Sequence, residues 1–256
     1  MPASGFFERA FSDAPLTRLI DEDPDLFADL PPNGLVDARA RAVAPAFSRA
    51  RGPWAVDVSG ICDATQCLGL LVLDGLLVHS IVVASEPRSE VVGPGDLLRP
   101  WDEDGSIASV RFESEWDVIQ PARIAVLDGR AVAFAARWPQ FMLAVISRTV
   151  RRSHWLALQM AINDLRRVDD RLLLFLWHLA DRWGRVRPDG VHVPLPVTHD
   201  VLAQLVCAQR PTVTSALRRL TAAGLLTRRR DRTWLLAPDG QPEPLRRAAP
   251  VSVTAA

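Results

Sequence analysis

The chain has 256 residues, 48% of them hydrophobic, which is enough for one large or two ordinary domains with cores of their own. Its formal net charge is zero, yet residues 1–150 hold 13 Arg against 21 acids and residues 151–256 hold 17 Arg against 9, so the two parts carry −8 and +8. A basic part concentrates at a polyanion while an acidic part stays off it, and three scattered cysteines with no repeated CxxC spacing exclude a secreted disulfide framework and a zinc ribbon.

The start, Met1 to Arg9, is charged and lacks an apolar signal core, so a cytoplasmic protein is expected. Leu16 to Leu30 reads as an acidic helix closed by Pro31-Pro32. Short β-type runs follow at Leu35 to Val43, Trp54 to Val58, Leu68 to Leu73, Leu76 to Val83, Glu90 to Val92, Ser109 to Glu113, Glu115 to Ile119 and Ile124 to Leu127. Strands this short and this close together suggest a roll or barrel. Cys67 to Ala84 approaches the length of a membrane span, but Asp74-Gly75 interrupts it, so the expectation is a buried hairpin turning at Asp74-Gly75 and no membrane partner. Asp128-Gly129 then ends the last strand, Arg130 to Arg137 forms a small helix, and Trp138-Pro139 starts a long one from Gln140 to about Val168. Apolar residues of that helix, among them Phe141, Leu143, Val145, Ile146, Val150 and Met160, lie on more than one face. One face can pack on the roll and another on the same helix of a second subunit, which predicts a homodimer. Asp169-Asp170 cap a further helix ending at Trp183-Gly184, and Val191 to Val193 and Leu195 to Val197 make short strands.

Thr198 can cap a short helix with apolar Val201, Leu202, Leu205 and Val206 at helical spacing, followed by a break over Cys207 to Gln209. Arg210-Pro211 opens a second helix, where proline is tolerated because the first-turn amide has no intrahelical partner. Val213, Ala216, Leu217 and Leu220 give it one apolar stripe, leaving Arg210, Thr212, Thr214, Ser215, Arg218 and Arg219 on the other face. Short hydroxyls and guanidinium groups suit base edges and phosphates in a major groove. Gly224 ends the helix, and Leu225 to Thr227 can pair with Thr233 to Leu236 as a wing with Arg228, Arg229, Arg230 and Arg232 at its tip. A winged helix-turn-helix is the reading, with double-stranded DNA as the partner and Thr198, Arg210, Thr212, Thr214, Ser215, Arg218, Arg219, Arg228, Arg229 and Arg230 as its contacts.

This arrangement resembles the Crp/Fnr superfamily of bacterial transcription regulators over roughly residues 20–237. The local matches are Gly93-Pro94-Gly95-Asp96, Pro121 to Asp128, and Thr198 to Leu220. The resemblance implies an α+β chain divided into a β-roll sensory domain of cyclic-nucleotide-binding-like type (1–137), a dimerisation helix (138–168), a winged helix-turn-helix domain (169–237) and a flexible tail (238–256). The roll can then hold an unrecognised small-molecule effector, in a pocket near Arg99 and Trp101, read a partner or serve as scaffold only, and RNA polymerase is a candidate partner. In members that bind cyclic AMP a Gly-Glu follows the Gly-Asp, and an Arg-Ser or Arg-Thr comes later. Here Arg99-Pro100 stands in place of the Gly-Glu, and the acidic Asp102, Glu103 and Asp104 would repel a phosphate, so no response to cyclic AMP is expected. The recognition run Arg210-Pro211-Thr212-Val213-Thr214-Ser215 keeps the family's first Arg and its Thr but lacks its Glu and second Arg, so the operator should differ from the cyclic-AMP one. Three cysteines cannot hold a four-cysteine iron-sulfur cluster, and His79 reads as a residue at a strand end rather than a haem ligand, so no cofactor is expected.

Two readings compete with the regulator. A cupin-type enzyme needs several His and Glu ligands inside the roll, which one histidine cannot supply, so no enzymatic activity is expected. An interaction protein that keeps the fold and acts through a protein partner is compatible with the acidic first part.

Overall fold

The structure, a computed structural model, describes residues 14–56, 66–103 and 109–238. Expectations placed on Asp57-Val58, Cys62, Asp104 and the tail beyond Pro238 lie outside these residues. The chain divides into two compact units, Met1–Trp155 and Leu156–Ala256. Together they give the mixed fold expected from the sequence, a β-roll followed by a long helix and a winged helix-turn-helix.

In the first unit the strands β1 (Leu16–Arg18), β2 (Val43–Arg49), β3 (Gly52–Pro53), β4 (Gly69–Val83), β5 (Glu86–Val92), β6 (Leu97–Leu98) and β7 (Glu113–Leu127) form one sheet. Its main order is β1-β2-β7-β4-β5, with β3 on β7 and β6 on β4. The runs expected as separate strands on either side of Asp74-Gly75 are in fact the single strand β4, and those between Glu113 and Leu127 are the single strand β7. The two pair antiparallel from Gly69↔Leu127 to Val82↔Glu113, with register shifts at Asp74 to Leu77. Gly75 sits in that irregularity at φ +89°, and a Cβ on it would lie 2.3 Å from the Pro121 carbonyl oxygen. Pro121 has no N–H to give to a ladder, and a bulge in the facing strand is where such a residue is accommodated. Both apparent strand breakers are thereby absorbed into one ladder. The hairpin turn lies instead at Ala84-Ser85, between Val83 and Glu86, with φ +50° and +66°. Positive φ at both central residues is what a two-residue turn of this twist requires, and no glycine or asparagine advertised it.

The apolar run in β4 reflects burial of both faces. Leu70 and Val72 pack with Trp54, Leu77, Trp116, Val118 and Ile124 on one side, while Leu71 packs with Leu19, Phe27, Ala125 and Leu127 on the other. Helices cover that second side. The opening segment expected as one helix comprises β1, the short helix α1 (Leu19–Glu22) and a 3-10 turn at Pro24–Phe27. Leu35 to Val43, expected as a strand, is mostly the helix α2 (Pro32–Arg41). Proline in its first turn, an Asp37–Arg41 pair one turn apart at 3.1 Å and buried Ala38 favour a helix, and the alternation of Ala with polar residues misled the strand reading. Asp37 also accepts from Trp138 Nε1 at 2.8 Å and pairs with Arg137 at 3.1 Å. Helix α3 (Gly129–Arg137) starts at Asp128, whose side chain accepts from the Arg130 amide.

Helix α4 (Pro139–Asn163) ends before Val168, which already begins α5 (Val168–Trp183). Asp169 and Asp170 lie in the first turn of α5 rather than at its cap, which is Arg167. The second unit holds α5, α6 (His199–Leu205), α7 (Arg210–Ala222) and a sheet of β8 (Arg185–Arg187), β9 (Gly190–Val193), β10 (Leu226–Arg228) and β11 (Trp234–Leu236) in the order β10-β11-β9-β8. Leu195 to Val197 is not a strand. Its core joins Leu172, Phe175, Leu176 and Leu179 of α5, Leu202 and Leu205 of α6, and Val213, Ala216, Leu217 and Leu220 of α7. Trp234 is 1% exposed there, its Nε1 donating to the Leu195 carbonyl at 3.1 Å. Among the described residues no helix is long and apolar enough to cross a membrane.

Candidate nucleic-acid interface

Helix α6 begins at Thr198, whose hydroxyl accepts from the Val201 amide at 3.3 Å. The turn after it contains Cys207 at φ +49°, a conformation costly for a residue with a side chain. Contacts from outside the turn hold it. Asn163 and Gln159 both donate to the Leu205 carbonyl, at 3.1 and 3.2 Å, and Arg171 donates to the Cys207 carbonyl at 3.0 Å. These carbonyls end α6 and have no intrahelical partner, so side chains from α4 and α5 satisfy them. Spacing along the sequence gives no sign of these contacts, because the partners are more than thirty residues away.

Helix α7 buries the stripe read from the sequence and no other residue of its length. Arg210, Thr212, Ser215, Arg218 and Arg219 are exposed and Thr214 is half-buried. The wing runs from β10 to β11 and closes through Arg229 N–H to Thr233 O at 2.9 Å, with Asp231 accepting from the Thr233 amide and hydroxyl at 3.0 and 2.6 Å. Gly224, at φ +72°, lies just past the end of α7.

Most of these cationic groups hold a partner in their own chain. Arg219 makes a two-pronged bond to Asp169 at 2.9 and 2.6 Å, which holds the Asp169 carboxyl below its ordinary range. Arg229 bonds Asp189 at 2.6 Å and Arg210 lies 3.3 Å from Asp200. Arg228 is exposed but tied to the domain, donating to the Val197 carbonyl at 3.0 Å, contacting His199 Nε2 at 3.2 Å and lying 5.3 Å from the Trp234 ring centre. Thr214 Oγ1 is 3.0 Å from His199 Nδ1. Exposed Arg218 and Arg230 take part in no ion pair among the described residues. Sequence reasoning named the arginines but missed Asp169, Asp189, Asp200 and His199, which surround them.

Residues 170–240 match the family described as the Crp-like helix-turn-helix domain. This part of the chain is a Crp-like helix-turn-helix domain. Solved structures show the likeness in fold to Crp/Fnr proteins over about three quarters of the chain. A mutant of CooA from Carboxydothermus hydrogenoformans is 17% identical with TM-score 0.55, over 75% of this chain and 82% of that one. FixK2 from Bradyrhizobium japonicum is 18% identical with TM-score 0.54, over 75% and 92%. The c-di-GMP responsive global regulator CLP from Xanthomonas campestris is 19% identical with TM-score 0.52, over 80% and 98%. The sequence matches no curated protein.

Outside the Crp-like domain, the Arg99 guanidinium donates to the carbonyls of Cys67 and Leu68 at 2.9 and 3.2 Å and lies 5.2 Å from the Trp101 ring centre. Trp101 Nε1 is buried with no hydrogen-bond partner among the described residues. His79 is buried, stacked on Trp116 with ring centres 4.1 Å apart, and its nitrogens lie 3.0 Å from Glu90 and 3.1 Å from Ser114. Burial pushes the Glu90 carboxyl up, but the bond from His79 and the Arg152 guanidinium outweigh it and bring the group below its ordinary range. No group of three His, Cys, Asp or Glu side chains among the described residues is placed to hold a metal ion.

Proposed function

We propose that this chain is a transcription regulator of the Crp/Fnr type that binds double-stranded DNA as a homodimer, placing the polar face of α7 in the major groove. The observation that carries the reading is that α7 buries only Val213, Ala216, Leu217 and Leu220 and leaves its arginines, Thr212 and Ser215 exposed and Thr214 half-buried. In this reading Arg210, Thr214 and Ser215 face base edges, while Thr198, Thr212, Arg218, Arg219, Arg229 and Arg230 face phosphates.

Support for the dimer comes from α4. Leu143, Ile146, Val150, Ser153, Ala157 and Met160 follow one another at alternating three- and four-residue steps, and all are exposed, Leu143 by 62% and Met160 by 70%. The opposite seam, Phe141, Val145, Arg148, Arg152, Trp155, Gln159 and Ile162, has the same spacing and is covered by the chain itself. A second seam of heptad spacing left in water is what a partner helix covers. Two subunits then present two α7 helices about 34 Å apart, so the operator is a palindrome with half-sites about ten base pairs apart.

The roll does not serve cyclic AMP in this reading. Pro100 opens a 3-10 turn where a sugar-binding carboxylate would be needed, and Arg99 is committed to backbone carbonyls. The protein acts in the cytoplasm, without catalysis of its own. Selection of duplexes from a random pool tests the proposal: a palindromic sequence should be enriched. Arg210→Ala should relax one position per half-site, whereas Arg229→Ala should weaken all sequences alike. Failure to enrich any sequence sinks the reading.

A further inference from the structure

Two of the α7 and wing residues meet on one imidazole. His199 is the first residue of α6; its Nδ1 lies 3.0 Å from Thr214 Oγ1 on α7 and its Nε2 lies 3.2 Å from an Arg228 terminal nitrogen on the wing strand. A guanidinium has donors and no acceptor, so Nε2 must accept and carry no proton. A neutral imidazole then has its single proton on Nδ1 and donates it to Thr214. Burial, followed by the charges of Arg228 and Arg210, holds the imidazole below its ordinary pKa of 6.5, in agreement with the neutral form.

The consequence falls on the Thr214 hydroxyl. One of its lone pairs is taken by His199, and its own proton is given to no group among the described residues. Serine and threonine on a helix commonly return that proton to the preceding turn, as Ser153 does on α4 by donating to the Thr149 carbonyl at 3.1 Å. Among the described residues Thr214 makes no such bond, its one hydrogen bond being the one to His199.

We infer that His199 is a positioning residue that links wing to recognition helix and fixes Thr214 as a hydrogen-bond donor, so that Thr214 selects a base edge presenting an acceptor. The groups that satisfy it in a major groove are purine N7, guanine O6 and thymine O4; the amino groups of cytosine and adenine do not. This rests on the DNA-binding reading and adds which edge one residue reads. Arg228 in this account is a structural tie between β10, Val197 and His199, distinct from Arg218 and Arg230, which meet phosphates.

The test is selection of duplexes from a random pool by the wild type, His199→Phe and Thr214→Val, with circular dichroism to establish that each variant is folded. The wild type should select an acceptor at one position per half-site other than the one read by Arg210. Thr214→Val should lose that preference, and His199→Phe should relax it by at least about fivefold, because the freed hydroxyl can then accept as well as donate. Both variants should keep the Arg210 position. A His199→Phe variant that binds more weakly with every preference intact would show a merely structural histidine and overturn the inference, as would a Thr214→Val variant with unchanged preferences. In either case the DNA-binding reading would stand. If the wild type enriches nothing, both fall together.

Discussion

Asp169 shows how a single carboxylate shapes the proposed interface. It sits in the first turn of α5, where the positive end of the helix favours an anion, and it grips Arg219 from 50 residues away. The guanidinium is exposed, and exposed pairs of this kind contribute little to stability, so Asp169→Asn should leave the thermal midpoint nearly unchanged. The same change removes a negative charge beside the phosphates. Affinity for operator and random DNA should therefore rise together, by up to about tenfold at low salt, with the gain shrinking at high salt. Fluorescence anisotropy at two salt concentrations checks this, and a weaker Asp169→Asn complex would mean that the carboxylate aims Arg219 rather than competing for it. The arginines were legible in the sequence because they stand in one run. Their acidic partners were not, since Asp169, Asp189 and Asp200 look like ordinary helix-start and turn residues until the fold brings them near.

At the scale of elements, two features carry consequences that can be measured. Gly75 lets β4 run past Pro121 as one strand. Gly75→Ala forces a side chain into positive φ and against the Pro121 carbonyl at 2.3 Å, so it should cost about 3 kcal/mol or more in urea unfolding. A loss under about 1 kcal/mol would mean the bulge relaxes freely. Along α4, the seam from Leu143 to Met160 lies exposed. Ile146→Glu, at a position 48% exposed, should leave the fold intact by circular dichroism and give a monomer in sedimentation velocity where the wild type sediments as the proposed dimer. An unchanged sedimentation coefficient would exclude this helix as the interface. Periodicity revealed both α4 and α7, because a stripe every three or four residues survives in one dimension. It failed at α2, where Ala alternates with Asp and Arg by chance, and at Asp74-Gly75, where a turn signal was taken up by a bulge that Pro121 on another strand requires.

For the whole molecule, the charge asymmetry follows the division into two units: Met1–Trp155 holds 15 Arg against 21 acids and Leu156–Ala256 holds 15 Arg against 9, which gives −6 and +6. If Arg218, Arg219, Arg229 and Arg230 of two subunits each neutralise a phosphate, the binding constant should fall with salt concentration with a log-log slope of about −7. Titration over a range of salt concentrations gives this slope directly. A slope shallower than about −2 would leave most of these arginines without phosphates.

By itself the sequence settled what depends on neighbours along the chain: the buried stripe of α7, the Thr198 cap, and the charge asymmetry. A helix stripe and a cap are local because a hydrogen bond or a face repeats within one or two turns. The tertiary structure decided what joins distant residues: the unbroken β4–β7 ladder, the carbonyls of the helix-turn-helix bend held from α4 and α5, and the imidazole shared by Thr214 and Arg228. Those bonds form only after the chain has closed on itself, so no spacing in the sequence encodes them.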